Sequence, residues 1–183
     1  MDRADELRRL DSGPRPGERS GLAGVVEIRL ETGVDADLVI HRVKDVLRIV
    51  LSTTEEELER GEASGLPDWL METFAPNGPE DDLDGRLWWA SPEREKWWGG
   101  LSSRTRRLVT TYTPWREWYA PYTLDAWVYS FSEEFRTWFW WDARVDGPDR
   151  ASVFIEVDGW PYSWFQLEWL LAVAGADVVD NLG

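Results

Sequence analysis

Cysteine is absent from the 183 residues, and histidine occurs once, at position 41. The first absence excludes a disulfide scaffold, thiol catalysis and cysteine-ligated zinc or iron–sulfur sites. The second leaves His41 as the sole imidazole. Its neighbours at helical spacing are Asp37, Lys44, Asp45 and Arg48, which marks a surface histidine on the polar side of a helix. A Ser–His–Asp site would have to use it, and the chain has no G-x-S-x-G elbow. No apolar run approaches the roughly 18 residues of a membrane helix. The opening Met1-Asp2-Arg3-Ala4-Asp5-Glu6 lacks the apolar core of a signal peptide. These absences lead us to expect a soluble, cytoplasmic protein. Lysine is nearly missing too, with 18 arginines to two lysines, and Ile and Asn are scarce. That usage fits a GC-rich bacterial genome. Neither a glycine-rich phosphate loop nor an internal repeat is present.

Aromatic residues and acid are abundant. The chain has 14 Trp, 6 Phe and 5 Tyr, and a formal net charge of −15. A chain of this length and apolar content is large enough for one self-sufficient core. The charge is unevenly spread: −1 over residues 1–53, −10 over 54–85, +4 over 86–120 and −8 over 121–183. Such a chain repels nucleic acid and anionic membranes at long range and attracts basic proteins.

Residues 1–21 carry Gly13-Pro14-Arg15-Pro16-Gly17 and few large apolar groups. We expect them to form a disordered or loosely held tail ahead of a single domain over 22–183. Alternation of Val26, Ile28 and Leu30 with Glu27 and Arg29 predicts a half-buried strand. Val39, Val43, Val46, Leu47 and Val50 predict an amphipathic helix over 35–51. Thr54 with Glu57 forms a capping box for a second helix, stopped by Gly61. A short helix is expected over 68–74, followed by an acidic loop to Gly85. Ser91-Pro92-Glu93 signals a helix start and Gly99-Gly100 its stop. One further helix over 101–112 and a turn over 115–119 complete the middle third.

Farther on, strands are predicted over 124–131, 135–145 and 151–157, making a three-stranded antiparallel meander. Ser163 and Gln166 look like a capping box for a nearly all-apolar final helix, with Tyr162 and Leu167 as its hydrophobic staple and Gly175 as its stop. The expected fold class is α+β, an antiparallel sheet of about four strands packed by helices.

Pairing Val145 with Ala151 sorts the meander into two faces. Phe139, Trp141 and Ala143 fall on one face with Val153, Ile155 and Val157. The other then carries Arg136, Trp138, Trp140, Asp142, Arg144, Phe154, Glu156 and Asp158. That second face is either roofed by residues 86–120, with Trp88, Trp89, Trp97 and Trp98 as plugs, or left open as an aromatic–acidic patch.

Four constellations invite a chemical reading. Glu80-x-Asp82-x-Asp84-Gly85 mimics half an EF-hand loop, but Ser91 stands where the bidentate Glu belongs, so no metal is expected there. Asp142, Glu156 and Asp158 among aromatics resemble a glycosidase carboxylate set, or else pair with Arg136 and Arg144. Arg104, Arg106 and Arg107 are expected to pair with the 54–85 acids. Glu168, in the apolar last helix, is expected to face solvent.

With no usable nucleophile, metal cluster or cofactor motif, the expectation is a non-enzymatic binding protein that docks a basic protein partner. Trp138, Trp140, Arg136, Asp142, Glu156 and Asp158 would supply the aromatic part of that surface, and Glu80, Asp81, Asp82 and Asp84 the acidic part. Immunity proteins of bacterial toxins and other inhibitors share this composition, though no motif carries the likeness. The alternatives are an enzyme or small-ligand binder using the Asp142–Glu156–Asp158 cleft, and a structural subunit of an oligomer.

Overall fold

The computed structural model describes residues 2–76, 91–101, 103–112 and 123–181. In chain order they form α1 (Arg3–Ser12), β1 (Gly24–Thr32), α2 (Ala36–Ser52), α3 (Glu55–Glu59), α4 (Asp68–Met71), α5 (Pro92–Gly100), α6 (Ser103–Tyr112), α7 (Leu124–Tyr129), β2 (Trp138–Gly147), β3 (Arg150–Val157), α8 (Phe165–Ala174) and β4 (Ala176–Asn181). The fold is α+β, with one four-stranded antiparallel sheet ordered β2-β3-β1-β4. The acidic loop at 80–84, Trp88, Trp89 and the expected turn over 115–119 lie outside the described residues.

Strand alternation decides which side chains enter the core. Val26, Ile28 and Leu30 of β1 lie beside Ile155, Val153 and Ala151 of β3, and all six are buried. The expected α2 stripe of Val39, Val43, Val46, Leu47 and Val50 is completely buried against this face. The Thr54–Glu57 capping box starts α3 as expected, each partner bonding the other's backbone N–H. Ser91 caps α5 by accepting from Arg94 N–H at 3.1 Å, with Pro92 in its first turn.

Residues 124–131 depart from the predicted meander. They form α7 and a following turn, not a strand. Trp127, Val128 and Phe131 are buried and Leu124 packs beside them, a set at i, i+3, i+4 and i+7. That is helical periodicity, hidden in a segment that also alternates. Trp127 is tilted against Phe74 and meets Phe131 edge-on, and Phe131 meets Trp138 edge-on, so an aromatic chain ties α7 to the sheet.

The final helix also starts differently. Trp164 occupies the N-cap of α8 and makes no side-chain cap. Ser163 instead exchanges hydrogen bonds with Thr137. Gln166 is buried and donates to Ser130 C=O at 2.9 Å, while its own C=O accepts from the Trp127 indole at 3.1 Å. Gln166 thus locks α8 to α7 and is not free to cap. Gly175 ends the helix with φ 138, a conformation that favours glycine, and β4 begins at the next residue. β4 runs along β1 so closely that a Cβ on Gly33 would sit 2.2 Å from an Asp177 carboxylate oxygen.

The N-terminal segment is a built part of the fold. Composition pointed to a loose tail, but α1 buries Glu6, Arg9 and Leu10. It lies along β2, an edge strand of the sheet, and its Glu6 accepts the outward Trp140 N–H at 2.5 Å. An edge strand left bare is a template for unwanted pairing, and α1 covers this one.

Candidate functional site

The β2–β3 hairpin begins with the expected pairing of Val145 with Ala151 and of Ala143 with Val153. A bulge then intervenes: Asp142 lies opposite Phe154, but Trp140 lies opposite Ile155. Trp141 is the extra residue. One added residue sends every later side chain to the opposite face. Trp138 and Trp140 therefore face the core at 0% exposure, and the half-buried Phe139 turns outward opposite Glu156. The proposal that Trp138 and Trp140 offer an exposed face is overturned. Of residues 86–120, the described helix α6 packs on α8, and Trp88 and Trp89 lie outside the described residues.

Glu156 sits on the outer face at 1% exposure. Its Oε1 accepts from Ser20 Oγ and Gly21 N–H, each at 2.7 Å, and from Leu22 N–H at 3.2 Å. Its Oε2 accepts from Arg9 at 3.1 Å. Both oxygens are committed to pinning α1 and residues 20–22 onto the sheet. Arg9 also bonds Glu18 at 2.8 Å and lies 4.2 Å above the Trp141 ring. Arg15 N–H and the Arg9 guanidinium hold the Glu18 carboxyl down at about 2. Arg136 is buried against Glu6 and lies 4.6 Å from the Trp138 ring.

The expected carboxylate set does not converge. Asp142 bonds its neighbour Ala143 N–H at 2.8 Å and lies next to Gly13. Asp158 is exposed beyond the end of β3, with its N–H on Thr137 C=O. Glu156 is enclosed, so Asp142, Glu156 and Asp158 do not together flank an open cleft. Arg144 pairs with Asp146 at 2.5 Å and, more loosely, with Glu27. Asp146 is pushed below its ordinary range by Arg144 and then by Ser152. Glu27 is lowered first by the Ser152 hydroxyl and then by Arg29, and it pairs with Arg29 at 3.4 Å and with Arg144 at 3.8 Å, so the charges around Ser152 largely offset one another. Among the described residues no three His, Asp or Glu side chains form a metal-holding group. No described helix is long and apolar enough to cross a membrane. His41 is exposed, as its spacing indicated. Glu168 is half-buried, and burial raises its carboxyl above the ordinary value.

The exposed aromatics lie elsewhere, at the open end of the hairpin. Trp160 is 62% exposed, Phe165 57% and Phe135 46%. Two segments carry them, and Thr137 joins those segments: its C=O accepts from Asp158 N–H, and its hydroxyl exchanges hydrogen bonds with Ser163. Tyr162 meets Trp160 edge-on at 4.8 Å, and Tyr129 tilts on Phe135 at 4.9 Å. Acid borders the patch. Tyr129 bonds Glu134 at 3.3 Å, and its hydroxyl is raised by burial and by that carboxylate. Glu133 N–H bonds Glu55 of α3 at 2.7 Å, which brings the acidic α3 alongside the patch. The nearby bases are already engaged: Arg3 with Glu55, Arg60 with Glu56 and Glu62, Arg136 with Glu6.

No family model, curated protein or solved structure matches the chain. Its function therefore has to be argued from its own residues.

Proposed function

We propose that this is a binding protein without catalytic activity, whose partner is a basic protein surface. One observation carries the reading: exposed Phe135 packs on Tyr129 within the field of Glu134 and Glu59, Glu133 bonds Glu55, and Thr137 ties the segment of Phe135 to the one that carries exposed Trp160 and Phe165. Charge on this scale speeds encounter with a cation, and aromatic rings are the side chains that most often hold a complex once formed. The core tryptophans have no part in it, and neither does the self-neutralised polar face around Ser152.

The test is association kinetics against a panel of size-matched basic and acidic proteins, at about 30 and about 300 mM salt. Binding is expected for basic members, with on-rates that fall at high salt. Glu59, Glu133 and Glu134, all exposed, changed together to Gln should slow association and flatten its salt dependence. Equal binding of acidic and basic members, or on-rates indifferent to both salt and this triple change, would refute the proposal.

A further inference from the structure

Arginine and tryptophan are paired repeatedly in this molecule. Among the described residues, guanidinium groups lie over Trp141 (Arg9, 4.2 Å), Trp138 (Arg136, 4.6 Å), Trp69 (Arg42, 5.4 Å) and Trp98 (Arg94, 5.4 Å). In the two closest, the same arginine also reaches a carboxylate: Arg9 reaches Glu156, and Arg136 reaches Glu6. The repeated unit is a ring, a guanidinium and a carboxylate. Its physics is general, because a planar guanidinium stacks on a ring face while its edge donates to an acid.

At the patch two of the three parts are present. Among the described residues Trp160 is the most exposed large hydrophobic side chain, with Tyr162 against it. Asp158 lies two residues earlier in the same bend and is exposed. No cation of the described residues sits on Trp160 or pairs with Asp158. The loop is held in place by the Thr137 bonds, so the ring does not have to be ordered when a partner arrives.

We infer that the missing part comes from the partner: an arginine side chain of a basic protein segment, stacked on Trp160 and paired with Asp158. This rests on the basic-partner reading above and narrows it from positive charge to the guanidinium. Lysine supplies the charge but neither the plane nor the fork.

The experiment titrates the full chain by calorimetry with three acetylated peptides of one length, alternating glycine with arginine, lysine or citrulline. The arginine peptide should bind at low salt, the lysine peptide several-fold more weakly, and the citrulline peptide not measurably. Trp160→Ala and Asp158→Asn should each weaken the arginine peptide about tenfold, which corresponds to about 1.4 kcal/mol. Both positions are exposed, and an unchanged urea midpoint certifies the fold. Equal affinity for arginine and lysine peptides, with Trp160→Ala without effect, overturns the inference. If binding in that case still responds to the triple change of Glu59, Glu133 and Glu134, the basic-partner reading stands without it. Failure of both cationic peptides to bind at low salt overturns both.

Discussion

Removing the Glu156 carboxylate should unpin the N-terminal segment. The side chain is 1% exposed and accepts four hydrogen bonds, from Ser20, Gly21, Leu22 and Arg9. Breaking a buried ion pair by deleting one member costs about 3–5 kcal/mol, because the remaining charge stays buried. Arg9 keeps Glu18 at 2.8 Å, which softens that loss. We therefore expect Glu156→Ala to lie at the low end, about 3 kcal/mol, or about 6–12 °C in Tm for a chain of this size. Glu156→Gln keeps an acceptor for residues 20–22 and loses only the ion pair, so about half that cost is expected. Urea unfolding followed by tryptophan fluorescence measures both, with an unchanged m value showing that stability alone has moved. A double-mutant cycle with Arg9→Ala should show strong coupling, since the two groups touch. If Glu156→Ala costs less than about 1 kcal/mol, or if Arg9→Ala costs the same with and without Glu156, the pinning argument is wrong.

Two further outcomes follow from the helix ends and from the half-buried acid. Thr54→Ala removes a complete capping box and should cost about 1 kcal/mol, whereas Ser163→Ala should cost only a few tenths, since Ser163 bonds through its backbone; chemical denaturation of the two variants separates them. Glu168 has its pKa raised by burial, so the fold takes up its proton more readily than the unfolded chain does and stability falls as pH rises through that raised value; Glu168→Gln should therefore stabilise at neutral pH, and the gain should shrink as pH falls through the raised value and vanish below the ordinary carboxylate range in a thermal-unfolding series.

Local signals in the sequence carried the helical half of the fold well. The valine stripe of α2, the α3 capping box, the Ser91-Pro92 start of α5 and the Gly175 stop are each written in a few adjacent residues. The hairpin register beside its turn was legible too, because Val145 and Ala151 are fixed by the link between them. The failures share a different cause. The bulge at Trp141 is decided by what each face meets, and an unbroken run of large aromatics over 138–141 suits either face. In α7 a helical stripe and a strand alternation coexist, and only the helix places Trp127 and Phe131 in the core together. Residues 3–12 read as loosely held, with at most a helical turn at Leu7 and Leu10, because two of the three residues that α1 buries are charged. β4 follows Gly175 with no loop to announce it. For the surface, the acidity of α3 was legible in the charge map, and it adjoins the patch through Glu55. The exposure of Trp160 was not, because it depends on where a bend lands in space. Glu80, Asp81, Asp82 and Asp84, given the acidic role from sequence, lie outside the described residues.

The central position of β1 has a consequence for synthesis. It pairs with β3 and β4 only, both from the far end of the chain, and α1 finds Arg136, Trp140 and Glu156 equally late. At about 5–20 residues per second, some 120 residues and roughly 6–24 s separate the completion of β1 from the appearance of its first neighbour. Throughout that interval Val26, Ile28 and Leu30 form an apolar strand with no sheet to enter. Glu27, Arg29 and Glu31 alternate with them, and charges so placed oppose pairing with the same segment of another nascent chain. The outer face of β1 thus protects the polypeptide on the ribosome, before there is a fold for it to be the outside of.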